Sequence, residues 1–267
     1  MTVLRYTFYP VALALAGWIL ISAAQAERYM NAAAAMQSPE ASAERVWRSV
    51  LESLSLSFYD GAREQRGAYA GITEQARTWQ KKSQLFALVV AAAAALQIFW
   101  MRFSSGISRN VFARHLNMIS MIGFGVGIAA PMMMVSAFAD IPVVGNVVFR
   151  FESKSILSTI CALIHAGNIV LALLIAIFSV VLPLAKMLLL TIGLSGHFPS
   201  ARERIRGWLH AIGKWSMADV FAVAVLVAYL ASNTDAYSRA DVGIGFYFFT
   251  AYCLLSLWAA QALLTER

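Results

Sequence analysis

Residues 167–194 form an apolar run with one charged side chain, Lys186, inside it. A bilayer core is about 30 Å thick, and about 20 apolar residues in a helix cross it. In lipid, backbone amides and carbonyls find no water, so a lone run of this length has to satisfy them as an α-helix. Similar runs occupy about 9–24, 85–101, 118–139, 215–230 and 243–264. The expected fold is an all-α polytopic membrane protein with about six transmembrane helices. The chain is only 13% charged, against about 25% for soluble domains. The net charge of +7 therefore points away from nucleic acid. In membrane proteins basic residues gather in the loops that face anionic lipid.

Loop charge sets the expected sidedness. The linker 102–117 holds Arg102, Arg109 and Arg114 and no acid; loop 195–214 holds Arg202, Arg204, Arg206 and Lys214 against Glu203. Both are expected in the cytoplasm, with both termini on the same side. One alternative concerns residues 1–26, where Ala24-Gln25-Ala26 has the form of a signal-peptidase site. Uncleaved, they are a first transmembrane helix. Outside, segment 27–82 reads as two soluble helices, the second running into the next span. Segment 140–166 is not read as a span, and its apolar part, Ser155 to His165, is at about 11 residues too short to cross. Its alternation over 147–154 predicts a strand, and Ile156, Leu157, Ile160, Leu163 and Ile164 give an interfacial amphipathic helix.

Charges within spans cost about 2.5–3.5 kcal/mol each at mid-bilayer and usually mark buried, paired or functional positions. Lys186 lies eight residues before Leu194, and Asp219 five residues after Lys214. At 1.5 Å per residue these depths are roughly 12 Å and roughly 7 Å from one membrane face. The two spans are consecutive and antiparallel, so a Lys186–Asp219 pair is expected. A structural alternative stands beside it. Ser216-Met217-Ala218-Asp219 fits a capping box, and Lys186 alone can snorkel. Ser179, two turns from Lys186, and Thr250 would extend a polar track, unless each bonds its own backbone. Pro183 is a kink or a hinge. Cys161 and Cys253 support neither a zinc site nor a disulfide framework. No nucleophile constellation, phosphate loop or metal spacing appears, so no enzymatic activity, catalytic residue, metal or cofactor is expected.

Three segments carry a family resemblance: Phe178-Ser179-Val180-Val181-Leu182-Pro183-Leu184-Ala185-Lys186, Gly213-Lys214-Trp215-Ser216-Met217-Ala218-Asp219-Val220-Phe221, and Gly243-Ile244-Gly245-Phe246. With the amphipathic segment 155–167, they make residues 118–264 resemble the membrane module of the paraquat-inducible protein A family. The resemblance implies a four-helix module over 118–267, preceded by an N-terminal helix pair with its external segment and basic linker over 1–117. It implies a multi-pass protein of the bacterial inner membrane and a lipid-trafficking role with a periplasmic MCE-domain partner. Lys186, Asp219 and Thr250 fall where the module keeps polar residues. The chain departs from many members in having one module, no cysteine-paired zinc ribbon and the added N-terminal spans. Membrane lipids and an MCE-type protein are the expected partners, nucleic acid is not, and oligomeric state is left open. Two competing functions stand: a non-transporting scaffold or envelope-stress subunit that anchors a periplasmic partner, and a proton-coupled exporter.

Overall fold

The computed structural model describes residues 2–36, 61–103, 108–141, 145–195, 205, 207–208 and 238–264. In chain order these form α1 (Thr2–Met36), α2 (Gly61–Phe103), α3 (Arg109–Ala129), β1 (Met133–Ile141), β2 (Gly145–Lys154) and α4 (Ile156–His165). Then come α5 (Ile169–Ala176), a π-helical turn (Ile177–Val181), α6 (Leu182–Ser195), β3 (Ser238–Val242) and α7 (Ile244–Leu264). Among the described residues five helical stretches are long and apolar enough to cross a membrane. The chain is an all-α polytopic membrane fold with a small sheet at one end. The expected span 215–230, with Asp219 in it, lies outside the described residues, as does the expected first soluble helix near residues 39–54.

α2 has no proline, and its glycines, Gly67 and Gly71, do not interrupt it. It runs unbroken from the polar segment into the apolar one, as expected. Its 43 residues correspond to roughly 65 Å, so it extends well past one lipid thickness. α1 lies antiparallel beside it. Ala16 and Ile19 of α1 bury against Val90 of α2 together with Val126 and Ala130 near the end of α3. Trp18 meets Phe86 edge to face, with ring centroids 6.1 Å apart. Ala24-Gln25-Ala26 lies within the continuous helix.

The third span differs from expectation at both ends. The helix covers Arg109–Ala129 rather than 118–139, so the second half of the basic linker is helical. Ser108 caps its start, accepting from the Val111 amide at 3.4 Å. Arg114, His115 and Asn117 lowered the hydropathy there, yet Arg114 donates to the Leu194 carbonyl at 2.5 Å, and His115 and Asn117 are buried. Pro131 sets the other end. Its ring lacks an amide and pushes the preceding residue out of the helical region, and Ala130 is extended at φ −75°, ψ 155°. Met133 and Met134, which follow, are strand, not span.

β1 is the centre of a three-stranded antiparallel sheet with order β2-β1-β3. The sequence predicts β2, whereas β1 falls largely in the expected span 118–139 and β3 lies just before the expected span 243–264. At this corner the Gly243 amide donates to Met132 O and the Gly245 amide to Pro131 O, both at 2.8 Å. A Cβ at either glycine would collide with the Pro131 or Ala130 carbonyl. The close approach locks the start of α7 to the end of α3. Farther along, a Cβ on Gly127 would lie 2.8 Å from the Phe249 amide nitrogen, so the two helices run nearly in backbone contact, as small residues allow in lipid.

Candidate functional site

Two features place polar atoms within the apolar body. The first is a buried layer between α3, α6 and α7. Pro183 is fully buried just after the π-helical turn that contains Ser179. A proline ring clashes with the carbonyl four residues earlier, here that of Ser179, and a widened turn relieves such a clash. One turn on, Lys186 is 2% exposed, so its ammonium is turned into the protein and does not snorkel outward. It donates to Ser256 Oγ of α7 at 3.1 Å, and Ser256 in turn donates to the Cys253 carbonyl at 3.1 Å. Asn117 of α3 reaches α6 from the other side. Its Nδ2 donates to Thr191 Oγ1 at 2.9 Å and to the Met187 carbonyl at 3.2 Å, while Ser120 Oγ donates to the Asn117 carbonyl at 2.7 Å. Asn117 Oδ1 is buried without a hydrogen-bond partner among the described residues.

Asn117 and Ser256 stand eight residues, and Lys186 nine, from the helix end nearest Arg114, roughly 12–14 Å in by the helical rise. They form one layer at one depth. Ser256, the partner of Lys186, is not among the residues expected from the sequence. A lone serine in an apolar span carries little signal, and only the spacing from the end of α7 could have suggested it. Thr250 takes the bland alternative, donating to the Phe246 carbonyl of its own helix at 2.9 Å. At the same end, Tyr9 of α1 hydrogen-bonds His115 of α3, linking the N-terminal pair to the rest.

The second feature is a groove of about 750 Å³ between the α1–α2 pair and α3–α7. One wall is the alanine face of α2, including Ala87, Ala91, Ala94 and Ala95. Small side chains on that face leave space where larger ones would have packed across it. The groove reaches from Glu27 and Gln80 at the sheet end to Phe8 and Ile98 at the other. Counted along either helix that is roughly 28 Å, close to the full hydrocarbon thickness. Leu88, Tyr247 and Leu254 border it and are 67%, 63% and 59% exposed, so it opens sideways.

The polar end has a regular origin. Met134 pairs with Ser153 across one side and with Asp241 across the other. Residues directly opposite in a sheet share a face, so Ser153, Met134 and Asp241 form one rung, and all three line the groove. Glu27 of α1 and Gln80 and Gln84 of α2 complete this end. The described lining residues include two carboxylates and no lysine or arginine. Sequence reading had placed Glu27 and Gln80 in an external segment and had no reason to bring Asp241 to them.

The family model described as paraquat-inducible protein A matches residues 123–267. This chain belongs to the paraquat-inducible protein A family. The match begins within α3 and takes in the sheet, Ser179, Pro183, Lys186, Asp219, Thr250 and Ser256. α1 and α2 fall outside it. The buried polar layer is thus largely a feature of the paraquat-inducible protein A region, whereas the groove has one wall inside that region and one wall outside. No curated protein and no solved structure matches the chain. Family and helices together make it a multi-pass membrane protein.

Proposed function

We propose that this protein is an inner-membrane component of a bacterial lipid-trafficking system, loading or passing phospholipid-like molecules to or from a periplasmic MCE-type partner. The observation that carries this reading is the groove: apolar along its length, polar at one end, open sideways and nearly as long as the hydrocarbon layer. Ligand sites commonly have volumes of about 300–1,000 Å³, and this one has the polarity pattern of an amphiphile. On this reading no bond is made or broken and no cofactor is required. The sheet end faces the periplasm, and Lys186 keeps a polar site on the cytoplasmic side.

A direct test fills the groove. Ala91→Trp places a large ring against its alanine wall without disturbing a packed contact. Transfer of labelled phospholipid from proteoliposomes carrying this variant is expected to fall at least about ten-fold, about 1.4 kcal/mol in the governing step, with accumulation in the membrane unchanged. Wild-type transfer by a well-accumulated variant would remove the groove from the pathway. The scaffold reading draws on the length of α2, which projects past the bilayer and offers a docking arm. Replacing residues 37–66 by a short linker separates the two, because a scaffold loses its function and a groove-based transporter retains basal lipid exchange.

A further inference from the structure

We infer that Arg77 and Lys81 form a docking site for the phosphate of a membrane lipid, at the outer rim of the groove's sideways mouth. The inference rests on the lipid reading above and adds the place where the head group is caught. On α2, Arg77, Lys81, Gln84 and Leu88 follow one another at spacings of four, three and four residues, which lays them along one stripe of a helix. Gln84 and Leu88 line the groove, and Leu88 borders its open side. The stripe thus carries the mouth outward onto two cations. All four residues are exposed, and among the described residues neither Arg77 nor Lys81 makes an ion pair.

The depth suits a phosphate. Lys81 stands four residues before the apolar run that begins at Leu85, roughly 6 Å beyond it by the helical rise, and Arg77 is one turn farther out. That is the level of the head groups, beside the polar end of the groove at Gln80 and Gln84. A guanidinium and an ammonium one turn apart can share the oxygens of one phosphate, and their stems are long enough to bend along the rim. With the sheet end outside, these cations also stand on the side from which basic residues are usually depleted. Lys82, the next residue, lies about 100° round the helix, with its ammonium 4.7 Å from the centre of the Trp79 ring. It has the same charge at the same depth and lies off the stripe. Of the nearby acids, Glu74 is on the next turn outward, farther from the mouth than either cation. Glu27 lies within the groove, and Asp241 already has a partner.

The experiment uses the full chain in mixed micelles holding equal amounts of a phosphatidylglycerol and the diacylglycerol with the same acyl chains, read by native mass spectrometry of the protein-bound lipid. The wild-type protein is expected to carry the phosphatidylglycerol in about twenty-fold excess. Arg77→Gln and Lys81→Gln should each cut that ratio about five-fold, the size of one surface cation acting on anionic lipid, and together bring it close to one. Glutamine is a good helix former at an exposed position, so the helix is kept. Lys82→Gln should leave the ratio unchanged, as should added inorganic phosphate at constant ionic strength. Equal binding of the two lipids by the wild-type protein overturns the phosphate site and leaves the lipid reading standing; that result needs no variant to fold. A ratio that survives the double substitution overturns it too, and so does a loss with Lys82→Gln as large as with Lys81→Gln, which means diffuse surface charge. Displacement of the lipid by inorganic phosphate makes the ligand a free anion and overturns the lipid assignment of the site. Ala91→Trp should reduce both lipids together, and lipid binding that it leaves unchanged lies outside the groove and overturns both readings.

Discussion

A buried lysine is costly in an apolar bundle, and Lys186 of α6 is turned inward to donate to Ser256 of α7. The Ser256 contact is a charge-assisted hydrogen bond, and bonds of that kind contribute about 1.5–3 kcal/mol when both partners are buried. Ser256→Ala is therefore expected to lower the thermal stability of the purified protein, whereas Thr250→Ala, which removes only a bond to its own helix, should leave it nearly unchanged. A dye-based melting curve in one detergent compares the two. Equal effects would mean that the Lys186–Ser256 bond contributes nothing to the fold. Lys186→Met tests function in the same place: it keeps the stem's volume and removes the charge. If the charge serves lipid movement, transfer falls while melting temperature holds or rises, as happens when buried ions are replaced by apolar groups.

At the scale of elements, the π-helical turn and Pro183 belong together. An extra residue in a helical turn rotates everything after it by about 100°. The turn thus helps set which way Lys186 points. Pro183→Ala restores the missing amide and removes the reason for the wide turn. The expected outcome is normal accumulation with reduced lipid transfer, and accumulation with full transfer would show that the turn has no role. The sequence displayed Lys186 and Pro183 clearly, because a charge and a proline stand out in an apolar run. The unbroken α2 and the short helix α4 were equally legible from periodicity and from the lack of breakers. The limits of α3 were not. Hydropathy averages over all faces of a helix, so His115 and Asn117, turned inward, looked like loop, and the apolar Met132 to Ala139 looked like helix although Pro131 had already ended it. The sheet was only one-third visible, since β1 and β3 pair across about a hundred residues and neither alternates cleanly.

For the whole molecule, the groove was the least legible feature, for a physical reason: no single segment encodes it. It is space left between the α1–α2 pair and α3–α7, and an alanine-rich face reads as close packing until the partner helix is seen to stand off. Its mouth can be tested by closure. In a background with Cys161 and Cys253 replaced, cysteines at Leu88 and Tyr247 joined by a flexible thiol cross-linker should stop lipid transfer, and reductive cleavage of the linker should restore it. Unchanged transfer after complete cross-linking would exclude sideways entry at that border. The same substitutions without cross-linker supply the control for folding.

The staple at Gly243 and Gly245 has a mechanical consequence. Backbone hydrogen bonds, glycine contacts and three strands tie the ends of α3 and α7 on the sheet side. The opposite end is joined by side chains, Phe112 against Trp258 and Ala113 and Leu116 buried with Ala259. α3 and α7 are thus joined like a pair of tongs, by backbone at a stiff pivot where the sheet sits and by side chains alone at the far face. If the helices breathe, the amplitude grows with distance from the pivot. The groove wall that α3 and α7 make then stays fixed at its sheet end, and the stiff part is separated from the moving part within one apolar body.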